Sequence, residues 1–175
     1  MISVFDMFKI GIGPSSSHTV GPMKAGKQFI DDLIAQHLLE KTEKIQVDVY
    51  GSLSMTGLGH GTDIAIIMGL AGYLPHNVEI ERIPGFIAEV KKTAKLPLAK
   101  GKQTAQFDPA TDMIFHQTFL PLHENGMTIT AFHQAQELYK QTYYSIGGGF
   151  IVDEAHFNQT EKNEMNVPYP YHIAA

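Results

Sequence analysis

The chain has 175 residues, of which 13 are basic and 18 acidic, giving a net charge of −5, and 43% of its residues are apolar. This length and composition fit one domain with a sizeable core and exclude a disordered tail, a collagen-like fibre and a coiled coil. The acidic balance argues against a nucleic-acid surface. No apolar run approaches the roughly 18 residues of a membrane span, and the start lacks the pattern of a secretory signal. We therefore expect a cytoplasmic protein that binds neither nucleic acid nor membrane.

The sequence contains no cysteine. Disulfides, cysteine nucleophiles and thiolate metal sites are therefore excluded within this chain, and its residues alone cannot hold an iron–sulfur cluster. His116, His123 and His133 lack the spacing of ligands on one helix, so zinc is only weakly indicated. We assign no metal-binding residue.

In the first half of the chain, apolar spacing predicts a helix over residues 22–40, and alternation predicts a strand over 45–49. Residues 51–61 are predicted to form a long glycine-rich loop. A second helix is expected from there to about residue 72, capped by Thr62 or Asp63. Because this helix is apolar nearly all round, it should be buried.

The second half is predicted to contain mostly strands. A helix is expected over residues 86–94 and a polar loop over 95–109. Strands are predicted at 113–118, 127–133, 137–145 and 150–152. The pair Asn125-Gly126 favours a hairpin between the first two of them.

Three segments rich in glycine and hydroxyl side chains are candidates for binding. The first, residues 11–19, leads into the first predicted helix and contains Ser15, Ser16, Ser17 and His18. Hydroxyls and backbone N–H groups near a helix N-terminus suit a carboxylate or phosphate; the alternative is an ordinary capping loop. Since adjacent side chains rarely point at each other, Ser17 and His18 are not expected to pair.

The second segment, residues 51–63, combines Gly57, Gly59 and Gly61 with His60. The glycines permit close approach of the backbone to a ligand. A histidine can donate or accept a proton near neutral pH. The alternative is a hydrogen-bonded structural histidine in a tight turn.

The third segment, residues 145–150, contains Gly147, Gly148 and Gly149 in a row. Three consecutive glycines cost conformational entropy on folding, so an unusual backbone conformation must be required there. Either another part of the chain or a ligand packs closely against it.

Together these segments resemble the bacterial iron–sulfur L-serine dehydratases. The resemblance is carried, in the same order, by residues 3–23 (SVFDMFKIGIGPSSSHTVGPM), 51–63 (GSLSMTGLGHGTD) and 142–150 (TYYSIGGGF). Residues 108–115 and 125–127 fit as well, so nearly the whole chain is covered.

The resemblance implies an α+β fold, a mixed sheet with flanking helices, similar to the allosteric substrate-binding domain of phosphoglycerate dehydrogenases. It implies a β-type domain over residues 1–153 and a tail over 154–175 that leads toward a cluster-bearing α domain. That family converts L-serine to pyruvate and ammonia with a [4Fe–4S] cluster. The missing cysteines agree with a cluster bound by the absent α domain and not by this chain.

The resemblance also implies roles for single residues. His60 is the candidate for acid/base catalysis or substrate contact. The expected substrate-binding residues are Ser15, Ser16, Ser17, His18, Thr19, Ser52, Gly59, Gly61, Gly147, Gly148 and Gly149. The expected partners are L-serine, the α domain and a second copy in a homodimer. The alternative function is a regulatory serine-binding and dimerisation module without catalytic residues.

Overall fold

Helices and strands alternate through much of the chain in the computed structural model, which describes residues 17–57 and 61–157. In chain order the elements are α1 Val20–Ala35, β1 Lys44–Tyr50, α2 Gly51–Gly57, α3 Thr62–Leu70, α4 Ile83–Thr93, β2 Lys95–Leu98, β3 Gln103–Gln106, β4 Met113–Phe115, β5 Asn125–His133, β6 Gln136–Gly147 and β7 Phe150–Asp153.

The seven strands of the described residues form one mixed sheet in the order β2–β3–β1–β5–β6–β7, with β4 parallel to β1. Strand β1 lies in the middle, paired with β3, β4 and β5, and its alternating Ile45, Val47 and Val49 are fully buried on one face. This confirms the predicted α+β class with a mixed sheet and flanking helices. The likeness to the allosteric substrate-binding domain of phosphoglycerate dehydrogenases stays a prediction, as does the division at residue 153.

Helix α1 covers one face of the sheet. The Tyr143 hydroxyl donates a hydrogen bond to Oδ2 of Asp32 over 3.2 Å, and the Tyr139 ring lies 5.4 Å from that of Phe29. Tyr139 and Tyr143 are on β6 and are separated by an even number of residues, so they project to the same side. We call this side the helix face.

Helices α1 and α3 pack with their backbones in direct contact. A Cβ added to Gly26 would lie 2.7 Å from the carbonyl oxygen of Ile66, and one added to Gly69 would overlap the carbonyl oxygen of Met23. Only glycine permits this approach at both positions. The close packing fixes the start of α3 beside the residues that precede α1.

The predicted loop over residues 51–61 is wrong where the structure describes it, because α2 follows β1 directly. Gly51 has a φ of +62°, which turns the chain from strand to helix, and Leu53 is fully buried. The predicted cap of α3 is also wrong. Gly61 precedes that helix with a φ of +86°, and the Thr62 hydroxyl donates elsewhere.

The loop predicted over residues 95–109 instead contains the antiparallel strands β2 and β3. The predicted hairpin at Asn125-Gly126 is wrong as well. These two residues begin β5, and β4 and β5 each pair with β1 rather than with one another. The first helix ends at Ala35, earlier than expected, and His37 follows it with a left-handed φ of +59°. The other predicted helices and strands are confirmed with shifted ends.

Candidate functional site

His18 is held from two sides at the start of α1. Its Nδ1 lies 2.8 Å from the Ser17 hydroxyl, and its Nε2 lies 3.1 Å from the Ser52 hydroxyl. The expectation that the adjacent Ser17 and His18 would not face each other is therefore wrong. Ser52 is 34 residues away in sequence, so this hydrogen bond joins the first predicted segment to the second. All three side chains are half-buried, which leaves them within reach of a ligand.

A second contact fixes the backbone of His18. The Thr62 hydroxyl, at the start of α3, donates to the His18 carbonyl oxygen over 2.5 Å, and Thr62 is fully buried. Thr19, which follows His18, is 1% exposed, and its carbonyl accepts the Met23 amide in the first turn of α1. The N-terminal ends of α1 and α3 are thus tied together at His18.

The third segment reaches the same helix end. Gly147, Gly148 and Gly149 all have positive φ, at +101°, +64° and +79°. A Cβ on Gly149 would lie 3.0 Å from Cγ1 of Val20, the first residue of α1. Close packing of this turn against α1 therefore accounts for glycine at position 149.

The structure brings together several of the predicted site residues and leaves others untested. Ser17, His18, Thr19, Ser52 and Gly61 lie around the N-terminal ends of α1 and α3, and Gly149 touches α1. For Gly147 no neighbour lies within 4 Å of an added Cβ, and for Gly148 only the Phe150 ring does. Four predicted residues lie outside the described residues, namely Ser15, Ser16, Gly59 and His60.

Two polar residues that the sequence interpretation did not assign lie at the same end of the sheet. Asn125 forms a bridge with Gly51, the first residue of α2, and its side-chain amide nitrogen donates to the Ser145 carbonyl oxygen over 3.2 Å. Both residues are buried. The sequence analysis placed Asn125 in a hairpin turn and so did not assign it to the site. No local pattern in the sequence shows that Ser145 is its neighbour.

Tyr143 and Tyr144 keep their protons and are unsuited to proton transfer. Burial raises the pKa of Tyr143 far above its ordinary value, and the Asp32 carboxylate raises it further. Burial also raises the pKa of Tyr144, with a smaller contribution from Glu154. Both hydroxyls therefore stay protonated at neutral pH. Within the described residues, proton transfer at this site would fall to His18.

A cavity of about 640 Å³ opens along α1 beside the β6–β7 turn. Lys24, Tyr143, Phe150 and His156 are among its lining residues, and Gly149 is the only one that it shares with the predicted site among the residues described. The Lys24 ammonium lies 5.8 Å from the centre of the Phe150 ring. This cavity is separate from the hydrogen-bonded group around His18.

Among residues 17–57 and 61–157, no three histidine or carboxylate side chains are grouped as metal ligands. No helix in the same part of the chain has the length and apolar content needed to cross a membrane. The site is built from hydroxyls, an imidazole and glycine turns. The chain is thus an α+β domain with a polar site where the N-terminal ends of α1 and α3 meet.

The chain belongs to the serine dehydratase beta chain family, whose model matches residues 3–156. It is 72% identical over 172 residues to the L-serine dehydratase of Haemophilus influenzae, covering 98% of this chain and 38% of that protein. It is 63% identical over 175 residues to L-serine dehydratase 2 of Escherichia coli, covering 100% of this chain and 38% of that protein. The L-serine dehydratase of Streptomyces coelicolor is 45% identical over 155 residues, a match that covers 87% of this chain and 34% of that protein. The chain therefore spans little more than a third of the length of these relatives.

Proposed function

We propose that this chain forms one wall of the substrate site of an L-serine dehydratase, a lyase that converts L-serine to pyruvate and ammonia. The hydrogen-bonded row of Ser17, His18 and Ser52 carries the proposal, because it joins two segments that are distant in sequence into one polar surface. The names of the relatives support the substrate. The rest of the full-length protein would complete the site.

The residues of this chain do not fit the [4Fe–4S] cluster that the family resemblance implies. The chain has no cysteine to supply thiolate ligands. We place the cluster on the remainder of the full-length protein and assign no metal chemistry to this chain. What the chain can supply is binding, orientation and proton transfer.

Dehydration of L-serine requires removal of the α-proton and departure of the β-hydroxyl group. With a neutral His18 ring, one of the Ser17 and Ser52 hydroxyls donates to the unprotonated ring nitrogen, and the other accepts from the ring N–H and can donate its own proton to the substrate carboxylate. Because both nitrogens of His18 face hydroxyls, its ring is held in a fixed orientation. His60 remains our candidate for acid/base catalysis or substrate contact, and it precedes Gly61 at the start of α3 by one residue.

Exposed apolar side chains near the same end of the sheet support contact with the rest of the protein. Met55 on α2 and Phe119 are each 55% exposed, and Phe150 after the glycine turn is 36% exposed. The Phe119 ring lies next to Gly51, where β1 meets α2. Exposed apolar groups around a polar site are typical of a surface that a second domain covers. A homodimer remains part of the proposal.

The test is pyruvate formation from L-serine by the full-length protein and by this chain alone. We expect activity only from the full-length protein. There, His60→Ala should lower turnover by about 100-fold or more, the usual contribution of a general acid or base. His76→Ala is the matched control, because His76 is exposed and lies outside the three segments.

Three results would count against the proposal. No pyruvate from the intact full-length protein would overturn the assigned function. Unchanged turnover and unchanged KM in the His60→Ala variant would remove His60 from the site. Pyruvate formation by the purified chain alone would show that the rest of the protein is dispensable.

The cavity along α1 favours a second candidate, a regulatory site for a small amino acid. Lys24 could attract a carboxylate there, and Phe150 offers an apolar contact. Calorimetry that measures L-serine binding to this chain and to its Lys24→Ala variant separates the two functions. Regulation requires that this substitution abolish binding to the chain while basal turnover of the full-length protein is kept.

A further inference from the structure

Among the described residues, two buried side-chain polar atoms at the end of the sheet where β1 meets α2 have no hydrogen-bond partner. They are Oδ1 of Asn125 and Oγ of Ser145, in residues that are 5% and 0% exposed. Buried polar side-chain atoms in folded proteins are nearly always paired, so each exception requires an explanation. Here the two exceptions are neighbours, because the Asn125 amide nitrogen donates to the Ser145 carbonyl oxygen.

Both residues lie on the helix face of the sheet. Asn125 is two residues before Met127 on β5, and Ser145 is two residues after Tyr143 on β6. Met127 and Tyr143 are paired across the strands, and the Tyr143 hydroxyl contacts α1. Since side chains alternate along a strand, Asn125 and Ser145 project to the same side as Tyr143.

The same two residues adjoin the segments that meet at His18. Asn125 is bridged to Gly51, and the next residue along, Ser52, contacts the His18 ring. Ser145 leads into the glycine turn that packs against Val20 through Gly149. The pair therefore links the second segment, which Asn125 adjoins at Gly51, to the third, which begins at Ser145.

The orientation of the Asn125 amide decides which ligand group would suit it. Because Nδ2 already donates to the Ser145 carbonyl oxygen over 3.2 Å, Oδ1 is left as an acceptor to which no group in the described part of the chain donates. A carboxylate has no proton to donate and would be repelled by this oxygen. An ammonium group has three protons and would satisfy it.

We propose that Oδ1 of Asn125 accepts a hydrogen bond from the α-ammonium group of the bound amino acid, and that the Ser145 hydroxyl provides a second contact to the same ligand. This inference deepens the proposed function and rests on it. In this proposal, Asn125 and Ser145 make the site bind L-serine in preference to the same hydroxy acid without its amino group.

The test uses the full-length enzyme, with L-serine as substrate and 3-hydroxypropanoate, which is L-serine without its amino group, as a competitive inhibitor. Asn125→Leu keeps the approximate shape of the side chain and removes both the acceptor oxygen and the amide nitrogen that donates to the Ser145 carbonyl oxygen. We expect the KM for L-serine to rise about tenfold or more, the usual loss for one hydrogen bond to a charged group. The Ki for 3-hydroxypropanoate should change less than about twofold.

Ser145→Ala is the second variant, and it is informative if Asn125→Leu folds poorly. The Ser145 hydroxyl has no partner within the described chain, so its removal should leave the Tm unchanged or raised while the KM for L-serine rises. Thr128→Val is the matched control. Thr128 is 5% exposed, and its hydroxyl is paired with that of Thr142 over 2.8 Å, so the Tm should fall and the KM should stay constant.

Different outcomes would overturn different parts of the reasoning. If the parent enzyme is active and both variants keep its KM, the pair has no role in binding and this inference fails, while the proposed function stands. Equal losses of affinity for L-serine and 3-hydroxypropanoate would also overturn ammonium recognition. If the parent enzyme makes no pyruvate from L-serine, the proposed function itself fails.

Discussion

Two glycine-to-alanine substitutions are expected to shift the stability of this chain in opposite directions. Gly26 lies inside α1, and an added Cβ would meet the Ile66 carbonyl oxygen at 2.7 Å and the Leu70 amide nitrogen at 2.9 Å. Gly85 lies in α4, where an added Cβ would have no neighbour within 4 Å. Neither glycine has a positive φ, so backbone conformation is not at issue.

The magnitudes follow from two terms. Alanine is favoured over glycine in a helix by about 1 kcal/mol, and by less in the first turn where Gly85 lies. At Gly26 the new methyl group would meet backbone atoms that cannot rotate away, and overpacking of this kind costs about 1–3 kcal/mol. Gly26→Ala should therefore destabilise the chain by up to about 2 kcal/mol, whereas Gly85→Ala should stabilise it by about 0.5 kcal/mol.

Thermal unfolding of the two variants measures this difference. For a chain of this size, 1 kcal/mol corresponds to about 2–4 °C in Tm. Gly26→Ala should lower the Tm by several degrees, and Gly85→Ala should raise it slightly. If both variants shift the Tm in the same direction, the close backbone packing of α1 on α3 is not what determines stability there.

Two further predictions concern the sheet. Burial and Asp32 raise the pKa of Tyr143, so above about pH 10 the unfolded chain loses this proton while the folded chain keeps it. The free energy of unfolding should therefore fall with rising pH by up to about 1.4 kcal/mol per pH unit. In the Tyr143→Phe variant, the fall of the unfolding free energy with pH should be shallower by that amount. His116→Ala should cost about 1–2 kcal/mol in urea unfolding, because it removes the 2.8 Å contact to Asp48, whose side chain is 13% exposed. Arg82→Ala is the control, because Arg82 pairs with Glu79 at the surface, where the two side chains are 81% and 62% exposed. It should change the free energy of unfolding by less than about 0.5 kcal/mol. Equal losses of stability in the His116→Ala and Arg82→Ala variants would refute the argument from burial.

Periodicity in the sequence predicted the elements whose burial follows a regular pattern. Strand β1 alternates strictly, and α3 is apolar on nearly every side, so both were found from the residues alone. Strands β2 and β3 have four residues each and include Lys95, Gln103 and Gln106, which is too short and too polar for alternation to be visible. Their pairing depends on Leu96 and Ala105, which are buried only in the folded sheet.

Helix α2 was missed for a different reason. Its sequence contains two glycines, two serines and a threonine, which favour turns when they are isolated. Burial of Leu53 and the turn at Gly51 make it helical in the folded chain. The position of Ser52 opposite His18 depends on this helix, so the central contact of the site was not visible as a local pattern.

The arrangement of the site depends on core packing as much as on its own residues. The second and third predicted segments meet the first turn of α1 or the first segment just before it, the second through Ser52 and Thr62 and the third through Gly149. That turn is held in place farther along the helix by Gly26 against α3 and by Asp32 against Tyr143. A shift of α1 along the sheet would therefore separate the first segment from the other two, even with every predicted binding residue intact. Loss of substrate affinity in a variant such as Gly26→Ala would be the expected sign of this dependence.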